Sequence, residues 1–205
     1  MRLSRRDILG ALFALAVAVV CVRLGFWQLD RLGQRRARNA IVAARLALPP
    51  LELRRGTASD SARQRRLIAR GVYDYAGELV SPGKSFDGTP GVALVTPLRL
   101  EDGSAVFVDR GWVPSPDARH VDQSLYREAD TATVEGIGTE EYNISPLILR
   151  ETGTAAPRGL PRRWPTPALD DGPHLSYAIQ WFSFAVIIVV GTGALLRKTT
   201  ILGPS

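Results

Sequence analysis

Two long stretches without charge lie near the ends of the chain, and mostly polar sequence separates them. Residues 8–22 hold no charged side chain, and beyond Arg23 the sequence stays apolar to Trp27. A helix over residues 8–29 would be about 33 Å long, enough to cross the hydrocarbon core of a bilayer. The second stretch covers residues 175–196 and ends at two basic residues. Because backbone groups cannot go unpaired in lipid, both stretches are predicted to be transmembrane helices.

The sequence between the two spans changes from a helical to a strand-like pattern. Residues 31–48 have the composition of a helix and stop at Pro49-Pro50, whereas residues 52–66 are predicted to form a loop. Apolar runs of strand length follow at residues 66–75, 78–80, 91–100, 104–113 and 131–139. The turn cluster Glu101-Asp102-Gly103 between two of these runs predicts a β-hairpin.

Glycine and proline mark where the strands are expected to stop. Turns are predicted at Ser81-Pro82-Gly83 and at residues 87–91. The six prolines of residues 143–173 predict an irregular return to the second span. The expected fold class is a membrane protein in which two terminal transmembrane helices flank an antiparallel β-rich extramembrane domain, either a small barrel or a sandwich.

Charge is distributed as unevenly as hydropathy. The chain carries 26 Lys and Arg against 20 Asp and Glu, a formal net charge of +6. Residues 23–70 hold twelve arginines and three acids, or +9, whereas residues 71–178 hold nine bases and sixteen acids, or −7. The basic stretch at residues 31–70 is expected to be a plain solvated helix, although it would also suit anionic lipid headgroups or propionates. No nucleic-acid partner is expected.

The bases beside the spans predict the orientation. They precede the first span and follow the second, which favours both termini in the cytoplasm. Arginines at residues 31–45 then lie on the outer side, but the positive-inside rule loses force for loops longer than about 60 residues. The predicted segments are a cytoplasmic N-terminus at 1–7, spans at 8–29 and 175–196, an outer domain at 30–174 and a cytoplasmic C-terminus at 197–205.

A second interpretation of the N-terminus stays open. Ser4-Arg5-Arg6-Asp7-Ile8-Leu9 is similar to a twin-arginine export signal, and residues 14–18 contain two A-x-A matches to signal-peptidase sites. Both matches lie inside the apolar run, which favours an uncleaved span. Cleavage would instead produce an exported soluble domain.

The counts of cysteine and histidine exclude most metal sites. A single cysteine, Cys21, excludes a disulfide scaffold and any multi-cysteine zinc or iron–sulfur site. Two histidines, His120 and His174, argue against a metal cluster supplied by the protein. No G-x-S-x-G elbow, phosphate loop or G-x-G-x-x-G occurs, so we expect a protein that is not an enzyme. His120 lies in a polar stretch and is expected to be a solvated loop residue.

Three motifs, in a fixed order, carry a family resemblance. They are Leu24-Gly25-Phe26-Trp27-Gln28-Leu29-Asp30-Arg31, then Pro90-Gly91 through Thr96-Pro97-Leu98 to Val108-Asp109-Arg110-Gly111-Trp112-Val113-Pro114, and His174-Leu175-Ser176-Tyr177-Ala178-Ile179-Gln180-Trp181-Phe182. As a set, between two terminal apolar helices, they resemble the SURF1/Shy1 family of cytochrome oxidase assembly proteins. The resemblance covers about residues 22–196.

The resemblance implies a bacterial inner-membrane protein with its central domain in the periplasm, acting in the assembly of a haem–copper terminal oxidase. It implies that the chain binds haem a and aids its insertion into oxidase subunit I. Subunit I, the proteins of haem a synthesis and the lipid bilayer are the implied partners. The family's candidate haem ligand is a histidine at the start of the second span, where His174 stands. The alternative is a cofactor-free membrane scaffold that stabilises oxidase subunits during assembly.

Helical spacing around His174 agrees with that implication. If the helix begins at Pro173, then His174, Tyr177, Trp181 and Ala185 lie at i, i+3, i+7 and i+11 and share a face. The positive end of the helix dipole favours neutral imidazole, and haem iron is commonly held by histidine. The alternative is an interfacial hydrogen bond from the imidazole, with the two rings as ordinary aromatics of the membrane interface.

The first span offers a second wall for such a site. Trp27 and Gln28 end that span at the same membrane face, so they are expected to lie opposite the histidine in a two-helix pocket. Gly10, Ala14 and Ala18 have the small-xxx-small spacing that permits close helix packing.

Arg110 is the candidate cofactor-binding residue of the central domain. It is expected either to form a buried ion pair with Asp109 or to face the propionates of a haem. Gly111 predicts a bulge or strand end, and Trp112 a core residue.

Overall fold

The structure, a computed structural model, describes residues 4–140, 145, 147–152, 156 and 159–202. Its residues form two compact units, one made of the chain up to Ala40 and from Leu169 onward, the other of Ile41–Ala168. The helices are α1 (Arg5–Ala47), α2 (Ser59–Ala62) and α3 (His174–Leu202). The strands are β1 (Leu51–Glu52), β2 (Arg66–Tyr73), β3 (Leu79–Phe86), β4 (Thr89–Leu100), β5 (Ala105–Pro114), β6 (Thr131–Thr139) and β7 (Ile148–Glu151).

A single helix, α1, covers both the first predicted span and the predicted helix that follows it. Ser4 and Asp7 close its first turn reciprocally, since the Asp7 N–H donates to Ser4 Oγ and the Ser4 N–H donates to Asp7 Oδ2. With 43 residues α1 is roughly 64 Å long, about twice the thickness of a bilayer core. A bilayer therefore accounts for only part of its length.

The second long helix, α3, begins where the sequence predicts. The N–H of Tyr177 donates to the carbonyl oxygen of Pro173 at 3.1 Å, so Pro173 precedes a first turn that starts at His174. The helix continues to Leu202, beyond the basic pair that was expected to end the span. Both α1 and α3 are long and apolar enough to cross a membrane.

The second unit is a small β-barrel, which confirms the predicted fold class. Strand β2 pairs with β6 along its length and with β4 at its C-terminal end. The pairings β6–β7, β7–β5 and β5–β4 close the ring, so five strands form the barrel wall. Strand β1 extends the free half of β2, and β3 extends the free half of β4. The ring closes because β2 and β4 pair with each other along only part of one edge. The rest of that edge pairs with β1 in the case of β2 and with β3 in the case of β4.

Three local predictions differ from this sheet. Ser81-Pro82-Gly83 lies inside β3, where the register with β4 shifts, and is not a turn between strands. Residues 143–173 include β7, which pairs in parallel with β5 and is not irregular. The region 52–66 includes α2 as well as loop. The sheet is thus mixed: β1 and β7 add parallel pairs to a largely antiparallel barrel.

The barrel core consists of alternating residues from the paired strands. Its main cluster includes Leu67 and Ala69 of β2, Leu98 of β4, Val108 of β5 and Leu149 of β7, all with at most 1% of their surface exposed. This alternation is why the strand-like runs could be recognised from hydrophobicity.

A bulge interrupts the alternation in β5. Opposite β4, Leu94 pairs with Gly111 and Val95 pairs with Asp109, so Arg110 is the extra residue. Gly111 has φ +119°, a conformation that favours glycine, and a Cβ there would collide with the backbone carbonyl of Arg162. The prediction of a bulge at this glycine is confirmed. The close approach lets Trp112 and Arg162 exchange two backbone hydrogen bonds, of 2.7 and 2.9 Å.

Gly111→Ala is expected to destabilise the barrel by about 3 kcal/mol or more, since it combines backbone strain with a steric collision. Gly83→Ala is the matched control: its φ is +70° but nothing lies within 4 Å of a Cβ, so it should cost only about 1–2 kcal/mol. Unfolding of the full chain in detergent, followed by tryptophan fluorescence, measures both. Equal losses would contradict the close approach at Gly111.

Candidate functional site

A regular stripe of buried or half-buried residues runs along each long helix of the first unit. The buried residues of α1 are spaced alternately by three and four positions: Ala18, Cys21, Gly25, Gln28 and Leu32. The matching stripe of α3 has the same spacing: His174, Ala178, Trp181, Ala185 and Ile188. An average spacing of 3.5 is that of a two-helix seam. We call these two stripes together the helix seam.

Contacts across the helix seam show that the two helices are antiparallel. Ala18 and Cys21 cluster with Ala185, Gly25 meets Phe182, and Gln28 meets His174. Numbers therefore rise on one helix as they fall on the other.

The two helices pack closely at Gly25. A Cβ at this position would lie 2.6 Å from Cε1 of Phe182, and the Phe182 ring packs edge-on against Phe26 with centroids 5.3 Å apart. Of the expected small-xxx-small positions, Ala18 lies in the contact with α3, whereas nothing lies within 4 Å of a Cβ at Gly10. Close packing thus depends on the glycine of the first motif rather than on the one nearer the N-terminus.

Gln28 and His174 form the polar contact of the helix seam. Nδ1 of His174 lies 2.8 Å from Oε1 of Gln28, and Gln28 is only 9% exposed. A carbonyl oxygen can only accept, so this contact requires the proton on Nδ1. In neutral imidazole the lone pair is then on Nε2, for which the described residues provide no hydrogen-bond partner.

The aromatic candidates are divided between the seam and the surface. Trp181 is half-buried in the seam and packs against Phe184 at 5.9 Å between centroids. Tyr177, expected on the same face, lies at its border with 45% of its surface exposed, because Ala178 occupies the buried position. Trp27 was expected to form, with Gln28, the wall opposite the histidine, but it is 49% exposed and lies under the guanidinium of Arg31.

A cluster of ion pairs lies beyond the polar end of the helix seam. Arg35 pairs with Asp170 at 2.7 Å and Arg36 pairs with Asp171 at 2.6 Å. Asn39 donates to the backbone oxygen of Asp170 at 2.8 Å. The pairing with Arg36 holds the pKa of Asp171 below its ordinary value. Part of the basic stretch of residues 31–70 is therefore neutralised within the chain.

Arg110 is enclosed in the barrel with none of its surface exposed. Its guanidinium pairs with Glu78 and with Glu128, and its Nε donates to Thr96 at 2.8 Å. The ring of Tyr75 lies 5.1 Å from its Cζ. Four of its N–H donors are used inside the barrel, which favours the structural alternative over contact with a propionate.

The predicted Asp109–Arg110 pair is wrong, because the bulge turns the two side chains to different partners. Asp109 accepts from the Gly111 N–H and from Trp164 Nε1, both at 3.0 Å, and pairs with Arg150 at 3.5 Å.

A third carboxylate joins the ions around Arg110. Arg163 pairs with Glu128 at 2.6 Å and with Glu151 at 2.9 Å. Two guanidiniums, of Arg110 and Arg163, thus face three carboxylates: those of Glu78, Glu128 and Glu151. Burial raises the pKa of Glu151 to about 7 despite the adjacent Arg163.

Comparison with known proteins assigns the chain to a family. The model described as the SURF1 family matches residues 15–186. The chain belongs to the SURF1 family. The matched range contains both members of the Gln28–His174 contact and the buried ions around Arg110.

Relatives within the SURF1 family have low sequence identity to this chain but align with more than half of its length. An uncharacterised SURF1-like protein of Mycobacterium bovis is 25% identical over 89% of this chain and 80% of its own length. A SURF1-like protein of Monosiga brevicollis is 28% identical over 90% of this chain and 86% of its own length. The Saccharomyces cerevisiae protein named cytochrome oxidase assembly protein SHY1 is 26% identical over 58% of this chain and 32% of its own length.

Sequence reasoning missed the carboxylates that surround Arg110 in this SURF1 domain. Glu78, Glu128 and Glu151 lie far from Arg110 along the chain, and no local pattern connects them. The Arg35–Asp170 and Arg36–Asp171 pairs had a sequence signal, because a basic segment follows the first apolar stretch and two acids precede the second.

Gly25→Val should weaken helix packing by about 1–3 kcal/mol, because its side chain would overlap the Phe182 ring. Gly10→Val is the matched control, with open space at the same kind of helical position. Unfolding of the full chain in mixed detergent micelles measures both, and adding Phe182→Ala to Gly25→Val should restore part of the loss. Equal effects at Gly10 and Gly25 would contradict the observed approach.

The free energy of unfolding should fall as the pH rises from 4.5 to 7. The pKa of Glu151 is about 7 in the folded protein against an ordinary 4.5, so in this window the folded state keeps a proton that the unfolded state has lost. The expected slope is about 1.4 kcal/mol per pH unit, about 3 kcal/mol in total.

Glu151→Gln should remove this slope, whereas Glu101→Gln, at an exposed turn residue, should keep it. Denaturant unfolding at several pH values provides the measurement. A slope that survives in Glu151→Gln would show that another group titrates.

Proposed function

We propose that this chain is an assembly factor for a haem–copper terminal oxidase of the cytochrome c type. Membership of the SURF1 family and the similarity to the yeast protein SHY1 support this function. The two apolar helices support action within a lipid bilayer. The proposed location is a bacterial inner membrane, with both termini in the cytoplasm and residues 30–174 in the periplasm.

The proposal extends to the cargo, which is haem a. Oxidase subunit I would receive the haem, and the proteins of haem a synthesis would supply it. The observation that supports a haem site is the Gln28–His174 contact, since it leaves Nε2 of the imidazole as a lone-pair donor.

The residues around this imidazole fit a haem. Trp181 and Phe182 provide apolar aromatic surface within two turns of the helix, as a flat apolar ring requires. Among the described residues no group of three or more His, Cys, Asp and Glu could hold a metal ion. His174 would hold the iron, which haem brings as its own centre. Arg110 has no part in this proposal, because its partners lie inside the barrel.

The full chain, purified from cells that make haem a, should carry haem that His174→Ala loses. His120→Ala is the matched histidine control, since His120 is exposed and its ring is paired with Asp117 in its own loop. Absorbance spectra normalised to protein measure occupancy in all three. We expect His120→Ala to equal the wild type.

Two results would contradict the haem part of the proposal. Wild-type protein without haem that still co-purifies with oxidase subunits would favour a cofactor-free scaffold. Equal haem in the wild type and His174→Ala would exclude His174 as the ligand that holds it.

A further inference from the structure

Gln28 is a polar residue in a seam of small and apolar side chains. Its neighbours in the α1 stripe are Cys21, Gly25 and Leu32, and it is almost fully buried. A buried amide in a membrane helix must be satisfied by a partner on another helix. Its partner on the other helix is Nδ1 of His174, which lies 2.8 Å from Gln28 Oε1.

We propose that Gln28 is a positioning residue, which fixes His174 as the Nδ1–H tautomer and thereby presents Nε2 as the ligand atom for iron. This inference rests on the proposed haem function. It gives α1 a role in the site, which therefore needs both α1 and α3.

The chemistry of the amide supports this role. Gln28 Oε1 accepts from Nδ1–H, and an imidazole that donates its second N–H is held in one ring orientation and is a better donor to a metal. Removing such a partner typically lowers metal affinity about 10–100-fold. A bond that served only to hold helix register would instead be replaceable by any contact that keeps the helices together.

The tautomer can be measured without haem. The chain has two histidines, so ¹⁵N-histidine labelling of the full chain in detergent gives two ring systems, and His120→Ala assigns them. We expect His174 to show a protonated Nδ1 and an unprotonated Nε2. Gln28→Leu should lose this uniform tautomer, whereas Gln28→Glu should keep it, because its carboxyl group offers an acceptor oxygen whether ionised or neutral.

Haem affinity is the second readout. Gln28→Leu should bind haem about 10–100-fold more weakly than the wild type and raise the midpoint potential of the bound iron, because a weaker donor favours the ferrous state. Gln28→Glu should retain haem. Gln34→Leu is the matched control: the same substitution on the same helix removes a 2.8 Å hydrogen bond from exposed Gln34 to Asp30, which also lies on α1.

The outcomes separate the two proposals. Wild-type haem that is lost in His174→Ala but unchanged in affinity and potential in Gln28→Leu would overturn the role of Gln28 and keep the haem site. An Nε2–H tautomer in the wild type would also overturn it. Equal losses in Gln28→Leu and Gln34→Leu, with the tautomer unchanged, would reduce Gln28 to a packing residue. Wild-type protein that binds no haem would overturn the haem site and, with it, the inference.

Discussion

The close approach of α1 and α3 is the constraint on which the candidate site depends. The helices meet because small side chains occupy the helix seam at Ala18, Gly25 and Ala185. In lipid, such packing must replace the hydrophobic effect as the force that joins helices. Only at this separation can a short amide side chain reach an imidazole on the opposite helix, so the Gln28–His174 bond is a consequence of the packing.

The barrel has a comparable dependence on one irregularity. The bulge at Arg110 places a guanidinium in the interior and turns Asp109 toward Trp164. Burying that charge is costly unless carboxylates accompany it, and Glu78 and Glu128 come from different parts of the chain to do so. The ion pairs therefore link segments that sheet pairing alone would not fix. Burial is the largest cause of the raised pKa of Glu151, and the negative charge of the neighbouring Glu128 adds to it.

Features with a local period were predictable from the sequence, and those that depend on distant partners were not. Strand β6 was predicted at its observed bounds, and the start of α3 followed from Pro173. Strand β7 was missed because only four residues pair, within proline-rich sequence. At the candidate site, helical spacing placed His174 and Trp181 on the seam. The same spacing also placed Tyr177 on this face. Tyr177 is three residues after His174 and lies at the edge of the seam, whereas the buried position is four residues after it, at Ala178.

At the polar end of the seam, opposite charges from two distant parts of the chain form ion pairs. The positive segment after the first apolar stretch supplies Arg35 and Arg36, and the acids before the second supply their partners. These pairs are exposed, so each contributes little to stability by itself. Together with Asn39 they restrain the segment that leads into His174. A histidine at the first position of a helix would otherwise lie at a fraying end, so these contacts give the imidazole of His174 a defined position.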